Sequence, residues 1–117
     1  MKLFGTVISD FDTERRVLSR IVSGEIEASD VTWESFFYDV SLRIWQVLRH
    51  GETLTSSDLA DWLADLGLDE EIFGGLFIKP LGSAADDIKA LGTLRVRRLA
   101  VYDQMDAARA REQVDEE

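Results

Sequence analysis

Residues able to carry covalent or acid-base chemistry are sparse in this chain of 117 residues. Cysteine is absent and His50 is the single histidine. A nucleophilic triad, a thiolate metal site and a multi-histidine metal site therefore cannot be assembled. His50 falls at the end of a predicted helix, where a cation complements the helix dipole. Paired carboxylates occur at Asp86/Asp87 and Glu70/Glu71. Both pairs fall at predicted helix starts, where acids act as caps, so they do not single out an acid-base pair. Neither GxxxxGK[ST] nor GxGxxG occurs, and Gly74-Gly75 alone is not a phosphate loop. The expectation is a non-catalytic protein with no catalytic residue, no cofactor and no metal.

Two clusters remain. Trp33, Phe36, Phe37, Trp45 and Trp62 fall at helical spacing, which reads as core before ligand box. Lys89, Arg95, Arg97 and Arg98 form the basic segment from Lys89 to Arg98, with four bases and no acid. Asp103 to Glu117, by contrast, holds six acids and two arginines. With 23 acids against 13 lysines and arginines, the formal net charge is −10, which disfavours phosphate-backbone binding by the whole chain. The basic cluster thus reads as a protein contact, and direct nucleic-acid binding is not expected.

The elements that position these groups are predicted as helices. The length argues for one domain, and an apolar fraction of 45% supplies an ordinary globular core. Only Leu3 to Ile8 reads as strand-like. A first helix spans Thr13 to Ser23, with Val17, Leu18, Ile21 and Val22 as its stripe and Gly24 after it. Ile26 and Val31 tuck inward from the connection that follows. A second, central helix spans Trp33 to His50 and ends at Gly51. A third spans Ser56 to Leu66, capped by Thr55 with Asp58 three residues on, and ends at Gly67. A short fourth covers Glu70 to Phe77, with Ile72, Phe73, Leu76 and Phe77 buried. A long fifth runs from Ala84, after the Ser83 cap, to about Arg111. At 1.5 Å per residue it would reach roughly 40 Å, more than a domain this small requires. Part of it should project or pack against another chain. Its line of Ile88, Leu91, Arg95, Arg98, Leu99 and Tyr102 is the candidate interaction surface.

The fold class expected is all-α: a compact bundle of about five helices with a long C-terminal helix. The globular part covers about residues 12–80, the long helix about 84–111 and an acidic tail 112–117. No signal-peptide pattern and no run of 18 apolar residues occur, so a cytoplasmic protein without a membrane span is expected. The stretch IWQVLRHGETLTSSDLADWLADLG, Ile44 to Gly67, has the outline of a helix-turn-helix. Its second helix carries Asp58, Asp61 and Asp65 and no Lys or Arg, which would repel phosphate.

The order of motifs carries a family resemblance. FDTERRVLSRIVSGE is followed by VTWESFFYDVSLRIWQVLRHGETLTSSDLADWLADLG, then IFGGLF, then GSAADDIKALGTLRVRRLAVYDQM. This succession resembles the N-terminal domain of DnaB-type replicative DNA helicases over roughly Asp12 to Ala108. Glu14, Val17 and Leu18 match the early helix of that family. Phe36, Ile44, Leu48, Gly51, Leu54, Leu59 and Leu63 match its middle pattern. Gly74, Gly75, Leu76, Ser83, Ala84, Ala85, Ile88 and Arg98 match its last stretch. The resemblance implies a helical domain without catalysis, whose long last helix is half of a pairing hairpin. It also implies contacts with helicase, primase or loader during DNA replication, without an ATPase domain. The chain would be an excised domain or a free-standing relative, such as one from a phage or plasmid. A homodimer through the last helix is expected. The alternatives are a small acidic phage or plasmid protein that inhibits or mimics a host nucleic-acid enzyme, and a helix-turn-helix regulator.

Overall fold

The first helix, α1 (Phe11–Val22), lies between the two other main layers, and its composition shows why. Val17 and Leu18 are fully buried, and so are Thr13, Glu14, Ser19 and Arg20. Burial therefore extends around much of its circumference. One side packs on α2 (Asp39–Arg49) and the other on the N-terminal half of α4 (Ala84–Asp115). The centre of the fold is thus α1, not the second helix. A computed structural model describes residues 2–3 and 5–115 of the chain. Phe4 of the strand-like segment, Glu116 and Glu117 of the acidic tail, and the side chains of Glu70, Ile72 and residues 110–115 lie outside the description.

Among the described residues the architecture is all-α, with four α-helices rather than about five. The remaining helix is α3 (Ser56–Asp65). Leu3 to Ile8 contributes a minimal antiparallel hairpin, β1 (Lys2–Leu3) with β2 (Thr6–Val7), pairing Lys2 with Val7 and Leu3 with Thr6. The core gathers Val17, Leu18, Phe36, Ile44, Trp45, Leu63, Phe73, Leu76 and Leu91 from every layer.

Helix ends follow the local sequence. Gly24, Gly51 and Gly67 each adopt positive φ after α1, α2 and α3. Each helix closes with paired turn bonds: Gly67 N–H to Ala64 O and Leu68 N–H to Leu63 O are 3.0 and 2.8 Å. This is the left-handed C-terminal stop that glycine adopts without strain. At the N-termini, the Thr55 hydroxyl accepts the Asp58 N–H at 3.1 Å and the Ser83 hydroxyl accepts the Asp86 N–H at 3.4 Å.

Two expected helices are cut short by long-range contacts or by local composition. The span from Trp33 opens with a single 3₁₀ turn, Trp33–Ser35, and then runs extended through Phe36 and Tyr38. The carbonyls of Glu34 and Ser35 go to Arg98, and the N–H groups of Phe37 and Tyr38 go to Glu14. Partners from elsewhere in the fold have replaced the helical bonds. The expected fourth helix is a 3₁₀ turn, Glu70–Phe73. Gly74 and Gly75 supply no side chain to stabilise a further turn. Phe73 and Leu76 are buried as expected, but Phe77 is 42% exposed.

α4 is the dominant length of the molecule. Its 32 residues span about 48 Å, against overall extents of 55 × 33 × 25 Å. Leu91, Leu94, Arg98 and Val101 bury its N-terminal half. From Asp103 to Arg109 only Met105 is even partly covered, so this part of the helix leaves the globule.

Candidate functional site

The candidate line on α4 divides. Leu91 is 1% exposed in the core and Ile88 packs against that core. Leu91 is not available to a partner, which corrects its place in the expected contact line, and Ile88 is partly taken up by the core. Arg98 is also buried. Its guanidinium donates to Ile8 O at 2.9 Å, Glu34 O at 3.1 Å and Ser35 O at 3.2 Å, and lies 5.7 Å above the Phe37 ring. Burial pushes Arg98 below the ordinary arginine range, with the Glu14 charge opposing. Arg98 is a clasp joining α4 to the Trp33–Ser35 turn and the N-terminal segment.

Arg95, Leu99 and Tyr102 remain at the surface edge. Arg95 pairs with Glu34, while Leu99 and Tyr102 are 52% and 40% exposed. They border a groove of about 370 Å³, walled opposite by Trp33, Phe36 and Phe37. Val96, 66% exposed, lies on the adjoining face of α4. The groove thus sets an aromatic wall beside two exposed apolar side chains, with one ion pair at its margin.

Two buried charge centres hold this frame. Glu14 on α1 accepts Phe37 N–H at 3.3 Å and Tyr38 N–H at 3.4 Å. Burial raises its pKa from 4.5 to about 7, opposed by those two N–H groups, by the Ser41 hydroxyl and by Arg98. Arg20, fully buried, donates to both oxygens of Glu25, to Asp87 at 3.0 Å and to Leu81 O at 2.9 Å. Burial works against its charge, but Glu25 and Asp87 outweigh it and push Arg20 above the ordinary range. Arg16 reaches the other Asp87 oxygen at 3.2 Å. Asp87 is therefore part of the tie between α1 and α4, not a solvated cap acid. A spacing signal for these groups existed: Glu14 and Arg20 fall three residues either side of Val17, on the apolar stripe.

The aromatic set is only partly core. Phe36 and Trp45 are buried, and the Trp45 indole N–H donates to Ala28 O at 2.9 Å. Trp33 is 58% exposed. Its place in a 3₁₀ turn turns it away from the stripe expected of a continuous helix. On α3, Asp58, Asp61 and Asp65 face solvent. Among the described residues, no helix is long and apolar enough to cross a membrane. In comparisons with known proteins, the chain matches no family model, no curated protein and no solved structure.

Proposed function

We propose that the chain is a non-catalytic protein-interaction domain that pairs with a second copy through the flank of α4. On this reading it contacts helicase, primase or loader proteins during DNA replication, as the resemblance to replicative helicase N-terminal domains implies. The observation that supports pairing is the exposure of Leu99 and Tyr102 beside the Trp33–Phe37 groove, at the point where α4 leaves the globule. Adjoining apolar side chains at the mouth of a groove are the kind of surface that protein contacts use. Sedimentation equilibrium tests it: the wild type should dimerise, and Leu99→Asp and Tyr102→Asp should each give monomers that keep the wild-type helical signal. A wild type that is monomeric at high protein concentration removes the pairing. Leu91→Asp is not a test of pairing, because it places a charge in the core. Capture of purified helicase, primase or loader tests the wider assignment, and failure with all three removes it.

A second reading rests on α3. Asp58, Asp61 and Asp65 form an exposed acidic row at three- and four-residue spacing. Such a row suits a small acidic protein that inhibits or mimics a host nucleic-acid enzyme. Loss of inhibition on changing all three to Asn would support it, and inhibition that persists would remove it.

A further inference from the structure

The outer face of α2 carries a second hollow, of about 650 Å³, that the α4 surface does not use. All three tryptophans of the chain line it, with Arg43, Arg49 and His50. Trp45 is fixed by its indole N–H bond to Ala28 O, and the Arg49 guanidinium lies 5.2 Å over its ring. Trp62 is half-buried and Trp33 stands largely open at the rim. Arg15, Arg16, Arg20 and Arg95 take carboxylate partners, while among the described residues the exposed Arg97 and Arg109 on α4 take none. Among the described residues, Arg43 and Arg49 also have none. The terminal carbonyls of α2 account for a base at Arg49 and at His50. They do not account for Arg43, more than a turn further into the helix, nor for an open tryptophan.

Unpaired guanidinium groups and indole faces in one concavity match a single ligand chemistry. Guanidinium recognises an acidic group through charge-assisted hydrogen bonds, and indole faces accept a planar ring. The volume lies in the range that encloses a small molecule. A polyanion is disfavoured, because the hollow holds Glu52 and the rim residue Trp62 follows exposed Asp61 in the chain. We propose that this hollow binds a small planar aromatic anion, its ring against Trp33 and Trp62 and its acidic group held by Arg43 and Arg49.

Indole N–H signals in ¹H–¹⁵N spectra of the full chain provide the test, with AMP and indole-3-acetate as probes and adenosine and inorganic phosphate as controls. The Trp33 and Trp62 signals should shift saturably with at least one aromatic anion, while each control binds at least about tenfold more weakly. The Trp45 signal, tied to Ala28, reports that the fold is intact. Arg43→Gln should weaken binding by about tenfold with that signal unmoved, and Arg49→Gln, which also strips the cation from the Trp45 ring, should do so with an unchanged helical circular-dichroism signal. The proposal is overturned if neither aromatic anion gives a saturable shift at millimolar concentration. It is equally overturned if phosphate alone, or adenosine alone, binds as tightly as AMP. Tighter binding by a single-stranded oligonucleotide than by AMP would replace it with a strand-binding groove.

Discussion

Glu14 is buried with two backbone N–H donors, and it stays protonated to a higher pH than in the unfolded chain. With a folded pKa of about 7 against 4.5, the folded state holds the proton more tightly across that interval. Stability must then fall as pH rises from 4.5 to about 7, and level off above it. Glu14→Gln keeps an acceptor and removes the titration. Its stability relative to wild type should rise by up to about 3 kcal/mol across that interval, read from urea unfolding at each pH. A difference that does not vary with pH would show that Glu14 is not the titrating group. Arg20 behaves in the opposite sense, because its partners are themselves charged. Arg20→Met leaves Glu25 without its cation and Asp87 with Arg16 alone, and should cost about 3 kcal/mol. Arg16→Met removes a partner of Asp87 whose side chain is 36% exposed, and should cost less than about 1 kcal/mol. Equal losses from the two changes would contradict the burial of Arg20.

At the scale of elements, α4 carries one evident cost. Gly92 sits on its exposed face, and a Cβ there would meet nothing within 4 Å. Gly92→Ala should therefore stabilise the protein by up to about 1 kcal/mol, visible as a higher urea midpoint with an unchanged slope. The ends of α1, α2 and α3 were legible because Gly24, Gly51 and Gly67 act on their own neighbourhood, and so do the hydroxyls of Thr55 and Ser83. The break before α2 was not legible. Its causes, Glu14 and Arg98, lie 23 and 64 residues from the backbone groups they capture. The same limit explains the α4 line. Periodicity places Leu91, Arg98 and Tyr102 near one stripe, but which stretch of it meets α1 and which runs free depends on where the globule ends. Of the candidate surface, the stripe was readable and its division was not. The α2 hollow was beyond reach for a related reason: Trp33 reads as core until its helix is broken.

For the whole molecule, the proposed pairing has to overcome charge. Two copies of net charge −10 repel, while the surface offered at Leu99 and Tyr102 is apolar. Arg98 is consumed inside the fold and Arg95 is paired with Glu34, so few cations remain on that flank to attract an acidic neighbour. Added salt screens the repulsion over a Debye length of about 10 Å at 0.1 M, and leaves apolar burial intact. Dimerisation should therefore strengthen as salt rises, with the weight-average mass from sedimentation increasing between low and high salt at fixed protein concentration. A contact made by Lys89 and Arg97 against the acids of a second copy would weaken over the same range, and so would binding to a nucleic-acid backbone. The sign of the salt dependence thus separates an apolar α4 interface from an ionic one. Repeating the measurement with Leu99→Asp should abolish the rise, because the substitution removes the apolar contact and adds to the repulsion. A rise that survives Leu99→Asp would place the interface elsewhere on the surface.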